Sequence, residues 1–435
     1  MWKVGFSEVD VTPPLDLELW GYAGRISFVP RGVHDPLKAH ALALSLEGNI
    51  FVLVSVDIGA VPFRVVRNVR ERLRDMYGLP EENVMIAATH THSGPAVTPL
   101  RRAGEAVDEN YVSVFERKIF TAAKEAIENL SNGTIYYSKG VAENLSFDRR
   151  RKSEPADKEV IVLSFFKNDK AIGFVVNFPC HPVCLGEDNL LVSADYPQYL
   201  YATLKKVYGE NTGVLFLTGA CGDIDPVWRG RGYRYAERMG RAIAGEVIKI
   251  VESSREEVSE ELKATKDIIE LDTGQLPDLS ELIKERDRLI DEISRLRREF
   301  AVVTSIKEAL ELHSREAFLS WTLDAIKAVE KGYKSSKYLL EIHVAKIGDL
   351  YLVGLSGETF AEIGVKIKDA CGGKAVVVSY ANGDIGYLPT DEAIREGGYE
   401  VENAFKYYKE YPYPPKESWE KKILETVSEL VSRLK

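Results

Sequence analysis

The feature that most constrains the fold is a short, β-branched apolar run that recurs along the chain and ends each time in a polar turn. The six runs are FVLVSVD to Asp57, VMIAATHTH to His92, FVVNFPCH to His181, VLFLTGACGDID to Asp225, LYLVGLSGE to Glu358 and AVVVSYANGDIGY to Tyr387. Runs this short, apolar on both faces and separated by helical stretches such as 65–77, are typical of buried strands. The sequence therefore predicts an α/β fold with a mixed β-sheet core and flanking helices.

A charged segment interrupts this pattern. From about 278 to 331, Leu, Ile and Phe recur at helical spacing amid dense charge, which predicts two helices packed as an antiparallel hairpin. We expect one domain over 1–275 and 333–435, with the hairpin inserted over 276–332 as a lid or as the contact of a homo-oligomer. The strand-like segments 261–272 and 338–347 would anchor it, and 415–435 predicts a last surface helix. No internal repeat is visible in the sequence.

Composition narrows the classes of partner. The chain has 435 residues, 45% of them hydrophobic, and a formal net charge of −10, which argues against binding nucleic acid or an anionic membrane. No secretory signal and no apolar run long enough for stable membrane insertion are visible, so a cytoplasmic location is expected. Four cysteines are too few for a disulfide scaffold in a chain this long. Abundant Lys and Glu with few Cys and Met favour a thermophilic source.

Two of only seven histidines, His90 and His92, follow one of the apolar runs. Residues i and i+2 of an extended backbone point to the same side, so the pair can present two imidazoles to one cavity. Imidazole is the commonest metal ligand and the usual general base near neutral pH. A structural pair, hydrogen-bonded in the core, is the alternative.

His181 and Glu358 add a third imidazole and a carboxylate at the ends of two other runs. A carboxylate there would be costly unless it is paired, solvated or bound to a metal. Two or three histidines, a carboxylate and an open position are typical of a catalytic zinc site, at which zinc lowers the pKa of a bound water to about 7. Cys180, Cys184 and Cys221 lie in the same turns, but their spacing favours small packing residues over metal ligands.

The combination of these turns resembles a known family. THTHSGP, the CHP turn, GACGDIDP, and GDIGY followed by GGYE occur in the order found in the catalytic domain of the neutral/alkaline, non-lysosomal ceramidases. The opening SEVDVTPP, WGYAG and GVHDPL are also similar. The resemblance covers roughly 4–253 and 337–408.

The resemblance implies a role for each matching residue. In the family, zinc is held by residues that correspond to His90, His181, Glu358 and Tyr387. The residues that act on the substrate amide correspond to His92, Tyr399 and Arg149. On this basis we expect a zinc-dependent amidohydrolase that cleaves a small-molecule N-acyl substrate by attack of a zinc-activated water. His92 would act as general acid/base, Tyr399 would donate to the oxyanion, and Arg149 would orient the substrate.

The chain departs from the family at one catalytic position. Where ceramidases carry a serine, it has Asp225, which excludes a serine acyl-enzyme at this position. Asp225 is expected to orient the water, to hold a positively charged substrate group, or to cap its turn. The resemblance does not extend to the family's C-terminal β-domain. The substrate thus stays open between ceramide and a small soluble amide, ester or lactone, under a roof formed by 25–32 and the hairpin.

Two further functions stay open. A non-catalytic metal- or ligand-binding protein on the same scaffold would keep the metal site without turnover. An interaction protein would use the charged hairpin, so that its deletion abolishes partner binding while metal stays bound.

Overall fold

The computed structural model describes all 435 residues as alternating strands and helices. Twenty strands, β1 to β20, span Lys3–Asp10, Gly32–Val33, Lys38–Leu46, Asn49–Val56, Val84–Ala88, Ser131–Asn132, Thr134–Val141, Ser146–Asp148, Glu159–Lys167, Lys170–Phe178, Leu191–Val192, Gly213–Thr218, Ile224–Pro226, Glu256–Glu257, Leu262–Asp272, Lys337–Ile347, Leu350–Leu355, Glu358–Thr359, Ala375–Val378 and Tyr387–Leu388. Nine α-helices, α1 to α9, span Phe63–Tyr77, Glu109–Glu128, Tyr196–Tyr208, Tyr233–Ser253, Leu279–Glu299, Ile306–Glu330, Ala361–Ala370, Asp391–Glu396 and Trp419–Arg433. A π-helical turn at Tyr399–Asn403 and 3-10 turns at Glu81–Asn83 and Ala404–Lys406 complete the secondary structure.

Three large sheets form the core, in the strand orders β5-β4-β3-β1-β6, β12-β10-β9-β7-β14 and β15-β16-β17-β19. All six apolar runs singled out in the sequence are strands of these sheets: β4, β5, β10, β12, β17 and β19. The prediction of a mixed α/β fold is confirmed, since each sheet combines antiparallel pairs with one parallel pair.

The same arrangement of elements recurs three times along the chain. Each of three units has three antiparallel strands, then a helix, then a fourth strand that lies parallel to the third. Unit 1 is β1, β3, β4, α1 and β5; unit 2 is β7, β9, β10, α3 and β12; unit 3 is β15, β16, β17, α7 and β19. A long helix, α2, α4 or α9, follows each unit. The repeat is one of topology, which explains why no sequence repeat reveals it.

Burial on both faces explains the continuous apolar runs. In β4, Val52 and Val54 pack with α1 and α2, whereas the alternate residues Phe51 and Leu53 face a core shared by the three sheets. Successive side chains of a strand point to opposite faces, so a strand between two cores needs apolar residues at every position. Full burial of a Val, Leu or Phe contributes about 1.5–3 kcal/mol each. Helices thus cover the outer faces while the inner faces pack together.

The fourth strands of the three units meet at their carboxyl ends. Ala88 N, just at the end of β5, donates to Tyr380 O after β19 at 3.1 Å, and Ser379 N donates to Thr218 O of β12 at 3.0 Å. The Thr218 hydroxyl donates to Thr89 O at 2.7 Å. These hydrogen bonds between sheets hold the polar turns of all three units in one place, as expected for functional groups beyond strand ends.

Two charged helices lie between the first and second strands of unit 3. The longer one, α6, begins with a capping box, because Ser305 Oγ accepts from Glu308 N while Glu308 Oε2 accepts from Ser305 N, each at 3.2 Å. Helices α5 and α6 run antiparallel, since Leu296 near the end of α5 packs with Leu312 early in α6. His313 Nδ1 of α6 donates to Ala23 O at 2.8 Å, which ties the pair to the loop after β1. The domain boundaries at 276 and 332 stay a prediction.

Candidate metal centre and cavity

The backbone at His90 differs from the extended form expected from the sequence. Strand β5 ends at Ala88, and His90 has a φ of 68° in the left-handed region, so the prediction that an extended i, i+2 spacing aligns the two imidazoles is wrong. The imidazoles nevertheless meet, with His92 Nε2 3.3 Å from His90 Nε2. A residue held in this sparsely populated conformation is typical of a functional site.

Backbone carbonyls set the tautomers of two histidines. His90 Nδ1 lies 2.6 Å from Gly59 O, and His181 Nδ1 lies 3.1 Å from Ile224 O. A carbonyl only accepts, so each Nδ1 carries the proton and each Nε2 keeps its lone pair. This outer hydrogen bond is the usual device that orients a metal-binding imidazole.

Glu358 brings a carboxylate to the same point. It begins the short strand β18, which pairs with β20 so that Glu358 lies opposite Tyr387. Its Oε2 is 3.5 Å from His90 Nε2 and 3.4 Å from His181 Nε2, and its side chain is buried. The sequence therefore identified three groups, one from each of the three units, that converge on one point.

The donor separations fit a tetrahedral metal ion. Ligands bound at about 2.0–2.1 Å around a tetrahedral centre lie roughly 3.3–3.4 Å from one another, close to the separations among His90, His181, His92 and Glu358. One ring nitrogen from each of the three histidines lies within 4.8 Å of the other two. Burial lowers the pKa of His92 and of His181, which keeps their lone pairs available near neutral pH. The group of three imidazoles and one carboxylate is thus suited to zinc.

His92 differs from the other two histidines in its surroundings. Its Nδ1 is buried and has no hydrogen-bond partner. Its ring lies between Trp20, at 5.4 Å in an edge-to-face contact, and Tyr22, at 4.7 Å between centroids. Among the three imidazoles only this ring has both an unpaired nitrogen and a place on the cavity wall.

Two tyrosines that the sequence analysis missed contact the same carboxylate. Tyr408 donates a hydrogen bond to Glu358 Oε1, and the Tyr380 hydroxyl is 3.4 Å from Glu358 Oε2 and 3.4 Å from His181 Nε2. Tyr380 lies two residues after the apolar strand β19, and this position is the one sequence signal in its favour. Tyr408 lies in the aromatic segment 405–413, where nothing distinguishes it from its neighbours.

Arg149 is a hub of hydrogen bonds. Its Nε donates to Glu400 at 2.9 Å, its Nη1 to Asp225 at 3.3 Å, and its Nη2 to Tyr387 Oη at 2.9 Å and to Gly222 O at 2.8 Å. The guanidinium therefore orients Tyr387 and has few donors left for a substrate. Arg149 thus hydrogen-bonds directly to two other predicted site residues, Asp225 and Tyr387.

Asp225 does not cap a turn. It lies in β13, paired with β8, and its carboxylate receives hydrogen bonds from two guanidiniums, those of Arg149 and Arg229. Burial raises the pKa of Asp225, whereas the positive charges of Arg149 and Arg229 lower it, and the net effect holds this pKa below its usual value. The side chain is buried and does not line the cavity, so a direct contact with substrate, which was among the predicted roles, is not supported by its position.

A cavity of about 770 Å³ opens onto the metal-site residues. Its walls include Trp20, Gly21, Tyr22, Ala23, His90, His92, Arg149, Glu358, Tyr387, Tyr399 and Tyr408. Tyr399, predicted to assist the reaction, is half exposed, and its ring lies 6.3 Å from that of Tyr387. Of the two charged helices, α5 and α6, only α6 lines the cavity, with Leu310.

The prediction that residues 25–32 help to form the roof of the cavity is wrong. The cavity is lined instead by the preceding residues 20–23. Arg25 itself is fully buried and donates to Trp20 O at 2.9 Å and to His92 O at 2.6 Å. The loop after β1 is thereby fastened to the turn that carries His92.

The cysteines behave as packing residues. All four are buried free thiols, and burial raises the pKa of Cys180, Cys184 and Cys221. None belongs to the group of side chains placed to hold a metal ion. No helix of the structure is both long enough and apolar enough to cross a bilayer.

Comparison with known proteins gives a consistent picture. Residues 2–212 match the family model for the N-terminal domain of neutral/alkaline non-lysosomal ceramidase. The neutral ceramidase of Drosophila melanogaster is 29% identical over 232 residues, which cover 48% of this chain and 33% of that protein. That of Pseudomonas aeruginosa is 27% identical over 223 residues, covering 46% of this chain and 32% of the relative. The aligned region thus spans about a third of the length of these relatives.

The likeness in fold extends further than the likeness in sequence. The crystal structure of the neutral ceramidase from Pseudomonas aeruginosa has a TM-score of 0.76 to this structure, at 21% identity, over 100% of this chain and 75% of that chain. The shared fold therefore includes the turns of Glu358 and Tyr387, which lie beyond the residues that the family model matches.

Proposed function

We propose that the protein is a zinc-dependent hydrolase of an amide bond in an N-acyl substrate, because residues 2–212 match the family model for the N-terminal domain of neutral/alkaline non-lysosomal ceramidase. The observation that carries this proposal is the convergence of His90 Nε2 and His181 Nε2 on Glu358 Oε2, at 3.5 and 3.4 Å. Both imidazoles have the tautomer that a metal requires, and the group opens onto a cavity large enough for a small-molecule substrate.

His90, His181 and Glu358 would hold the zinc. Bound there, zinc would act as a Lewis acid and lower the pKa of a water molecule. The resemblance adds Tyr387 as a fourth ligand, and its hydroxyl is kept in place by Arg149 Nη2 at 2.9 Å. Arg149 is then a positioning residue for Tyr387 as well as a wall of the cavity.

His92 would move the proton. Its imidazole lies beside the proposed ligands and lines the cavity, so it can take a proton from the attacking water and deliver one to the leaving nitrogen. The buried, unpaired Nδ1 gives the ring a second position for this proton. Tyr399, half exposed in the same cavity, would donate to the oxygen that gains negative charge.

Asp225 supports a mechanism without an acyl-enzyme at its position. Its carboxylate is engaged by Arg149 and Arg229 and is not free to act as a nucleophile. Attack by water therefore accounts for hydrolysis with the residues present. Amides, esters and lactones all present the carbonyl that such a site requires, and the proposed natural substrate is an amide because of the family.

The first test is metal analysis coupled to a hydrolysis screen of N-acyl amides, esters and lactones, before and after chelation. We expect about one zinc per chain and turnover that chelation removes and zinc restores. His90→Ala and Glu358→Gln should lose zinc and activity, whereas His92→Ala should lose activity while zinc stays bound. Glu210→Gln, at an exposed position with no side-chain partner, is the matched control for Glu358→Gln.

Three results would contradict the assignment. Full zinc content and activity in His90→Ala and Glu358→Gln would show that these residues do not form the site. Loss of zinc in His92→Ala would make His92 a ligand, as its 3.3 Å distance to His90 Nε2 also permits. Zinc without turnover of any acyl substrate would favour a non-catalytic binding protein.

A further inference from the structure

The cavity contains four arginines, and three of them are already committed to carboxylates of the protein. Arg149 contacts Asp225 and Glu400, as described above. Arg150 is bonded to Glu400 and Glu396, and Arg151 to Glu362 and Glu392. These pairs leave Arg229 as the guanidinium with the most unused donors.

Arg229 contacts a single carboxylate through a single nitrogen. Its Nη1 donates to Asp225 Oδ2, while its Nε and Nη2 have no partner in the protein. The Nε and Nη2 hydrogens point the same way from the planar guanidinium and match the two oxygens of a carboxylate. The side chain is 45% exposed and lines the cavity, so this edge is accessible to a ligand.

Glu187 is the one carboxylate lining the cavity that has no partner in the protein. It lines the cavity together with Arg229, and its carboxylate forms no hydrogen bond or ion pair with the protein. The Tyr22 hydroxyl donates to Leu185 O at 2.9 Å, two residues before Glu187, and Gly230 N, directly after Arg229, donates to Val183 O at 3.0 Å. Because the rings of Tyr22 and His92 are 4.7 Å apart, the segments that carry Arg229 and Glu187 lie near the His92 side of the cavity.

We propose that Arg229 is a specificity-determining residue which binds a carboxylate on the substrate, so that the preferred substrates are N-acyl amino acids in place of uncharged N-acyl alcohols. This inference rests on the proposed function. Asp225 holds the Arg229 guanidinium in place by accepting a hydrogen bond from its Nη1, which gives the aspartate an indirect role in substrate recognition. Glu187 disfavours a second negative charge on the ligand and accepts a hydrogen bond from a neutral or cationic donor.

A pair of matched probes isolates the carboxylate. N-octanoylglycine and N-octanoylethanolamine share the acyl chain and the amide, and differ in a carboxylate against a hydroxymethyl group. Zinc-loaded enzyme should prefer N-octanoylglycine. Arg229→Leu should reduce kcat/KM for it by about 10- to 100-fold, mainly through KM, since a hydrogen-bonded charge contact is worth roughly that factor. Arg229→Lys should keep part of the preference.

The control variant is Arg231→Leu. Arg231 is an exposed neighbour on the same connection, outside the cavity and without a side-chain partner, so its replacement should change neither substrate. A wild-type preference for N-octanoylethanolamine, or an equal effect of Arg229→Leu on both substrates, would overturn the inference.

Failure of this inference can be told apart from failure of the proposed function. Turnover of other amides or esters with no preference for the carboxylate would leave the hydrolase in place and remove the role of Arg229. If no acyl compound is hydrolysed, calorimetric binding of N-octanoylglycine to zinc-loaded protein decides the matter. Binding that Arg229→Leu weakens would support the Arg229 site without hydrolysis, and no binding would reject both proposals.

Discussion

The phenol ring of Tyr380 stacks on the imidazole of His90, with centroids 3.8 Å apart and ring planes at 9°. The Tyr380 hydroxyl reaches past this contact to within 3.4 Å of both His181 Nε2 and Glu358 Oε2. One aromatic side chain thereby contacts three proposed zinc ligands. Its backbone, with a φ of 56°, is held in the left-handed region to do so.

Replacing Tyr380 should weaken metal binding in two separable steps. Tyr380→Phe keeps the stacking and removes the hydroxyl, whereas Tyr380→Ala removes both and leaves a gap beside His90. Outer contacts of this kind contribute 10- to 100-fold to metal affinity. We expect a loss of about 100-fold for Tyr380→Ala and a smaller loss for Tyr380→Phe, measured by competition with a zinc chelator. Equal affinity in all three proteins would mean that Tyr380 does not support the ligands.

Gly21→Ala should impair His92 without removing the metal. A Cβ at Gly21 would lie 2.6 Å from His92 Nδ1, so the imidazole must move. Gly21 also has a φ of 104°, which strains any other residue. Gly48→Ala is the matched control, because Gly48 has a φ of 91° but open space around its Cβ position. Both variants should lose stability to a similar extent, as measured by chemical denaturation, and only Gly21→Ala should lose most of kcat. Comparable kcat values in the two variants would contradict the role of His92.

Asp225→Ser should not restore the chemistry of a serine enzyme. The change leaves the guanidiniums of Arg149 and Arg229 facing each other without the carboxylate between them. We expect a loss of roughly 3 kcal/mol in the free energy of unfolding. This value is the lower end of the range for breaking a buried ion pair, because Arg229 is partly exposed. Hydrolysis should fall, not rise. Asp369→Ser, at an exposed position on α7, serves as the control, and increased turnover in Asp225→Ser would refute this account.

His343 makes the stability depend on pH. Burial, with the charge of Arg70 as a second cause, lowers the pKa of His343 from 6.5 to about 4. Its Nε2 donates to Glu82 O at 2.7 Å and its Nδ1 accepts from Asn382 Nδ2 at 3.1 Å, a pairing that only the neutral ring can make. The unfolded chain takes up a proton below pH 6.5 and the folded chain does so only near pH 4. The contribution is therefore complete above pH 6.5 and is lost as the pH falls to 4, by an amount of the order of 3 kcal/mol.

His343→Gln should reduce this dependence. Denaturation between pH 6.5 and 4 should give a shallower decline in the free energy of unfolding than in the wild type. His34→Gln, at a side chain that is 35% exposed, controls for the loss of an imidazole elsewhere. Identical slopes in His343→Gln and wild type would assign the acid sensitivity to other groups.

The strands and their functional turns could be predicted because both depend on local patterns. A strand buried on two faces must be apolar throughout, and a histidine or glutamate directly after it has little reason to be there except function. His90, His181 and Glu358 were found in this way. Their convergence required knowing which strand ends meet, and that depends on hydrogen bonds between sheets, such as Ser379 N to Thr218 O.

Other features of the site left no trace in the sequence. Tyr380 and Tyr408 resemble ordinary core aromatics, and the left-handed backbone of His90 is imposed by tertiary contacts, among them His90 N donating to Ile58 O at 2.8 Å. Asp225 pairs with Arg149, which is distant in sequence, and with Arg229, which follows it by four residues. The tertiary fold, and not the local sequence, therefore selects an ion pair over a turn cap. Sequence could not place the long connection after β1 either, which is why the cavity roof was misassigned.

The threefold recurrence of strands and helix has a consequence for how such a chain can diversify. The connection between the first and second strands lines the cavity in every unit: with residues 20–23 in unit 1, Arg149 to Arg151 in unit 2 and Leu310 in unit 3. The imidazoles and carboxylate of the proposed zinc site instead follow the third and fourth strands. Part of the cavity wall therefore comes from connections that carry none of the proposed zinc ligands, while Arg229 and Tyr399 reach the cavity from segments that follow the fourth strands of units 2 and 3. Exchanging residues 20–23 or the stretch around Leu310 can change what the cavity admits without replacing a proposed zinc ligand.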